Sequence, residues 1–235
     1  MAGTPTVTRR DSVIVVAALT VAAALTVVGM IEIHYSTTGS GRRSTEITFG
    51  TARPQPGGEL DLRLSDSGEA LAEPDACALF SDAEITAILP QAEHITRKPE
   101  PVSHIPQLGE GTREQRLRSR ATFWPRGQCD YNFDLTYLHI ARITFSIHAI
   151  STPESIAWYY DTVKDGYMYD TGFADHGQVW SADACFSERG IAFCRYGRVY
   201  LDVRLFTPAT TFTDREWQDR LMPLIGPMLA AKTSS

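Results

Sequence analysis

The pieces of a Ser/His/Asp hydrolase stand near one another at Asp175-His176 and Ser181. In such a site the imidazole takes the serine proton while the carboxylate orients the ring. No G-x-S-x-G elbow presents that serine, so proximity alone identifies no catalytic residue. The chain has six histidines, but His139 and His148 are an odd number of residues apart. On one continuous strand they would face opposite sides and form no ligand pair. His94 and His104 fall in a Pro-rich stretch without an Asp or Cys at metal-ligand spacing. With no CxxC and no glycine-rich phosphate loop, neither a metal nor a cofactor is expected, and the chain reads as a non-enzyme.

Binding is the better-supported chemistry. Asp130, Asn132 and Asp134 alternate with apolar residues, as do Arg142, Thr144, Ser146 and His148, and then Asp202 and Arg204. On neighbouring strands these groups converge on one sheet face. There they mix acid, base, amide and hydroxyl, a set suited to sugar, peptide or a protein partner. An antiparallel sheet backed by helices ordinarily turns such a face to water. Tyr159, Tyr160, Tyr167, Tyr169 and Trp180 offer an aromatic wall beside it, although the helical spacing of the first two favours core packing. Between Gln91 and Gly127, Arg113, Arg116, Arg118, Arg120 and Arg126 form a basic loop in a chain of net charge −6. Glu110 and Glu114 offset it in part, so it reads as a solvated loop, and nucleic acid is not an expected partner.

The elements that position these residues are marked by their ends. Ser81-Asp-Ala-Glu84, Ser151-Thr-Pro-Glu154 and Thr213-Asp-Arg-Glu216 have capping-box spacing and open apolar helical patterns. Pro223 and Pro227 should kink or interrupt the last helix. Strict alternation predicts strands over 129–137, 142–149 and 199–206, with shorter ones at 178–181 and 191–196. The order α-β-β-α-β-β-β-α predicts an α+β fold, a mostly antiparallel sheet with helices packed on one face.

Four cysteines are an even set that admits three pairings. Cys185 and Cys194 flank the turn-like Ser187–Gly190, Cys77 precedes the first helix and Cys129 begins a strand, which favours Cys77 with Cys129 and Cys185 with Cys194. Disulfides persist outside the cytoplasm.

Before all of this, Ser12 to Ile31 runs without one charge. A helix of about 20 residues spans roughly 30 Å of hydrocarbon. The run exceeds a signal-peptide h-region, and no small-x-small site follows Met30. Residues 1–11 then read as a short cytoplasmic tail, 12–33 as a single-pass signal-anchor in the cell membrane, and 34–72 as a flexible stalk rich in Ser, Thr, Gly and Pro. Residues 73–235 form the folded domain. Arg9-Arg10 and Arg42-Arg43 balance across the anchor, and the cysteines place the domain outside.

Pro74-Asp-Ala-Cys-Ala-Leu-Phe-Ser-Asp-Ala-Glu-Ile85, with Cys129-x-Tyr131 after it, resembles an uncharacterised actinobacterial cell-envelope family. In that family a Pro-x-x-Cys start runs into a helix, and a second cysteine opens an aromatic strand. The resemblance spans most of residues 74–231 and implies a PsbP-like α+β fold with no catalytic residues to transfer. Many members are lipoproteins. This chain has no lipobox, its first cysteine being Cys77, and a membrane helix would replace the lipid tether. The sequence therefore points to a membrane-anchored, extracytoplasmic binding or scaffolding domain whose partner is an envelope protein or cell-wall ligand. A sensor-like ligand-binding domain is the alternative, followed by a cell-surface hydrolase.

Overall fold

Each helix begins on a side chain that satisfies the backbone amides its first turn leaves free. The computed structural model describes residues 47–104, 122–136, 139–206 and 213–234. Helix α1 (Asp82–Ile88) is closed by a capping box, in which Ser81 Oγ accepts from Glu84 N at 3.2 Å and Glu84 Oε2 accepts from Ser81 N at 2.9 Å. Helix α3 (Asp214–Lys232) repeats it with Thr213 and Glu216. Helix α2 (Pro153–Tyr167) is capped one residue later than the spacing predicts, by Thr152 accepting from Ser155 N, with Pro153 in the first turn.

Seven strands form one antiparallel sheet: β1 (Glu93–His104), β2 (Thr122–Thr136), β3 (His139–Ile150), β4 (Ala174–Gly177), β5 (Ala184–Glu188), β6 (Ile191–Tyr196) and β7 (Val199–Phe206). Their order across the sheet is β1-β2-β3-β7-β6-β5-β4. Register sorts the side chains into two faces. Cys129 lies opposite Phe145 and Phe145 opposite Val203, whereas Asp130 lies opposite Thr144 and Thr144 opposite Arg204.

The apolar face packs beneath α1, α3 and a single 3-10 turn at Ala76–Ala78, joining Phe80, Ile85, Tyr131, Phe145, Leu201 and Leu221 in the main core. Cys77–Cys129 ties the turn to β2, and the second disulfide joins opposed residues Cys185 and Cys194 on β5 and β6. Two residues beyond Cys129, the Tyr131 hydroxyl donates to Ala76 O at 2.9 Å and accepts from Phe80 N at 3.2 Å. Its burial pushes the phenol pKa up to about 12.

Several sequence expectations are corrected. The helices do not share one face: α2 packs on the other side, where Ile156 and Tyr160 meet Phe186, Phe193 and Tyr200 in a second core. Large aromatics on the reverse side of β5, β6 and β7 give α2 an apolar surface that alternation assigned to solvent. Residues 47–72 are not stalk. Ile47, Leu60 and Leu62 are buried in the main core, and Leu60 N donates to Lys232 O at 3.0 Å. The glycine of Gly58 serves close approach rather than looseness, since a Cβ there would stand 2.3 Å from Ala78 O.

The stretch holding His94 and His104 is strand β1. It tolerates Pro99 because β1 is an edge strand, where a missing N–H costs no ladder bond on the open side. Residues 178–181 are a turn, with Trp180 and Ser181 at positive φ, and strands β4 and β5 lie on either side of it. Pro223 and Pro227 do not interrupt α3. Trp217, Leu221, Ile225, Met228 and Leu229 hold that helix in the core, and Pro223 is on its exposed side. Among the described residues no helix is long and apolar enough to cross a membrane. The apolar run at 12–33 and the arginines at 113, 116, 118 and 120 lie outside the described residues.

Candidate functional site

The polar residues singled out by alternation lie on one face of the sheet, the face that α2 shares over β5, β6, β7 and the Ala149 end of β3. Asp130 on β2 is the first centre. Thr144 Oγ1 donates to its Oδ1 at 2.7 Å, Arg142 Nη1 to its Oδ2 at 3.3 Å, and Asn132 Nδ2 to its carbonyl at 3.4 Å. Asp202 on β7 is the second. Its Oδ2 lies 2.5 Å from His148 Nε2, and its Oδ1 accepts from Arg204 Nε at 3.2 Å. Ser146 Oγ lies between the two centres in register and donates to Gln128 Oε1 at 3.3 Å.

His148 reaches Asp202 because β3 is irregular there: the register with β7 shifts between Ile147 and Ala149. A bulge of this kind adds a residue and re-aims a side chain.

The site is layered. Asp130, Thr144, Ser146 and Asp202 form a buried floor rather than the solvated face that a one-sided sheet predicts. Arg142 and Arg204 stand above it with side chains 43% and 49% exposed. Beside them Ile140 and Phe206 are exposed, and the Arg142 guanidinium lies 5.5 Å above the Phe206 ring. A cation stacked on an exposed ring, with Asp130 and Asp202 buried below the two arginines, suits contact with another molecule more than simple solvation.

Burial pushes the Asp202 carboxyl pKa up, but His148 and Arg204 outweigh it, and the net direction is down. A carboxyl so lowered adds stability that is fully present above its unfolded value near 3.8 and is lost as pH falls through its folded value. Asp202→Asn is therefore expected to lower the denaturant midpoint at pH 7, by a gap that shrinks below about pH 4. A gap constant from pH 7 to pH 2 contradicts the pairing.

No family model, curated protein or solved structure matches the chain. Its chemistry is read from its own residues.

Asp134 lies at the margin of the site, its carboxylate 3.0 Å from His94 Nδ1 on β1. Sequence reasoning missed His94, Ile140, Phe206 and Gln128 as members. Ile140 and Phe206 were within its reach, because they share the parity of Arg142 and Arg204 on the same strands. The Asp175, His176 and Ser181 set is not assembled: Asp175 pairs with Lys164 at 2.5 Å, and the His176 ring meets Ser187 instead. Of the aromatic residues, Tyr160 is core and Tyr169 is 86% exposed. Arg126 is held by Asp75 at 2.8 Å. Among the described residues no cluster of His, Cys, Asp and Glu could hold a metal ion.

Proposed function

We propose that this protein is a membrane-anchored, extracytoplasmic binding or scaffolding domain of the cell envelope, and that the polar half-face of β2, β3 and β7 is its binding surface. The carrying observation is the layered site, in which exposed Arg142, Arg204, Ile140 and Phe206 stand over buried Asp130 and Asp202. Such a surface is pre-organised. Asp202 holds His148 and Arg204 in place, so a partner need not order those side chains, and the entropy cost of association falls. The two disulfides support an oxidising compartment, and the uncharged run at 12–31 supports the tether. The reading agrees with the resemblance to the actinobacterial envelope family, and the partner class is an envelope protein or cell-wall ligand.

Photo-crosslinking in intact cells tests it. A benzophenone amino acid replacing Phe206 or Ile140 is expected to give discrete light-dependent adducts, and Arg142→Glu should remove them. The same label at Leu71, exposed and bonded through its N–H to Arg63 O in the segment that Leu62 ties to Arg198, at the end of β7 opposite Phe206, should give none. Equal adducts at all positions, or none at 140 and 206, overturn the assignment.

A further inference from the structure

On the other side of the sheet, the β4–β5 hairpin and the start of α3 enclose a cavity of about 430 Å³ lined by His176, Ser187 and Gln218, with Arg189 and Arg215. That size falls in the range of small-molecule sites. Here the sequence's hydrolase idea returns with a different serine. His176 Nε2 lies 2.8 Å from Ser187 Oγ, the separation of a nucleophile and its base. Ser187 is 7% exposed and Gln218 is 3% exposed, yet the Gln218 amide nitrogen has no hydrogen-bond partner. An unpaired buried N–H₂ group is a donor left without an acceptor, and Gln218 lines the same cavity as Ser187 and His176.

We propose that Ser187 is a nucleophile activated by His176, and that the cavity is an esterase site for short acyl esters with Gln218 as oxyanion donor. This goes beyond the binding role of the polar half-face and depends on none of its residues. Ser187 Oγ attacks the ester carbonyl carbon while its proton passes to His176 Nε2. The carbonyl oxygen takes the negative charge and accepts from Gln218 Nε2. Collapse of the intermediate breaks the ester C–O bond, and the leaving alkoxide takes the proton from His176. Water then gives a proton to His176 and attacks the acyl carbon; the C–Oγ bond breaks, the carboxylic acid leaves, and His176 returns the proton to Ser187 Oγ.

Three features fit these roles. Strand β5 lies between β4 and β6, so its backbone amides belong to the ladder and the oxyanion donor has to come from a side chain. The His176 ring packs on Trp180 with centroids 4.8 Å apart, which restricts its orientation. Burial lowers the His176 pKa, with Arg215 acting in the same direction and Asp219 and Asp175 against it, so the ring is a neutral base at pH 7. Gly226 positions that wall, since its lack of a side chain lets α3 approach the Trp180 backbone, where a Cβ would stand 2.1 Å from Trp180 O.

The test treats the purified full-length protein with a fluorophosphonate probe and maps the adduct by mass spectrometry, with p-nitrophenyl acetate hydrolysis in parallel. The expected result is a single adduct on Ser187 and hydrolysis abolished by Ser187→Ala. Labelling should fall at least about 100-fold in His176→Gln. Gln218→Leu should slow ester turnover by about 100-fold or more, the usual cost of losing one oxyanion donor. Wild-type protein with both disulfides intact that leaves Ser187 unlabelled overturns the proposal, whatever the variants do. Labelling that survives His176→Gln unchanged overturns it as well.

Discussion

Replacing Lys232 with alanine is expected to destabilise the domain by about 3–5 kcal/mol, because it leaves a buried carboxylate without its counter-ion. Lys232 Nζ lies 3.1 Å from Glu84 Oε1, with both side chains 2% exposed. The ammonium also donates to Gln55 O at 2.6 Å and to Gly57 O. One cation thus joins α3, α1 and the segment before them. Glu84 further accepts from Gln55 N at 2.9 Å and closes the α1 capping box, so its orphaned charge has no route to water. Burial pushes the Glu84 pKa up, but the bonds from Ser81, Gln55 and Lys232 reverse this and leave it lowered. Glu84→Gln combined with Lys232→Met should recover much of the loss, since a pair removed together leaves no naked charge. Denaturant midpoints of the single and double variants measure this. A Lys232→Ala cost below about 1 kcal/mol, the range of exposed pairs, contradicts the burial argument.

Removing the disulfides should give two unequal losses. Cys77→Ala with Cys129→Ala opens a sequence separation of 52 residues, for which the chain-entropy relation gives about 4 kcal/mol. Cys185→Ala with Cys194→Ala opens only 9 residues, which gives about 2.5 kcal/mol. Packing widens the difference, because Cys77–Cys129 fixes the turn that receives the Tyr131 hydroxyl, whereas Cys185 and Cys194 are already aligned by strand pairing. Thermal or chemical denaturation of the two double variants ranks them. Equal losses, or a larger loss at Cys185–Cys194, contradict the account.

What the sequence made legible was local. Capping boxes at Ser81 and Thr213 and the alternation from Cys129 onward concern neighbours in the chain, and the helices and central strands stand where those signals put them. The disulfides followed from the same placement. Long-range packing was not legible. Nothing local shows that Leu60 and Leu62 bury themselves near the end of α3, because Pro54, Pro56, Gly57 and Gly58 carry the composition of a linker whether they are packed or not.

The second core behind β5, β6 and β7 was missed for a related reason. Alternation shows which residues share a face, but Phe186, Phe193 and Tyr200 declare an occupied face only once they are seen side by side. The residues of the polar half-face share one side of the sheet, as alternation places them, whereas the bulge that aims His148 at Asp202 is a property of pairing. His176 and Ser187 lie 11 residues apart on adjacent strands, and no motif spacing reports a pair made by a sheet.

The central claim, an extracytoplasmic domain built for binding, is tested most directly by thiol alkylation with mass spectrometry on protein taken from intact membranes, before and after reduction. The account predicts that all four cysteines are protected until reduction, with Cys77 linked to Cys129 and Cys185 to Cys194. Four thiols alkylated without reduction would place the domain in a reducing compartment and contradict the envelope assignment.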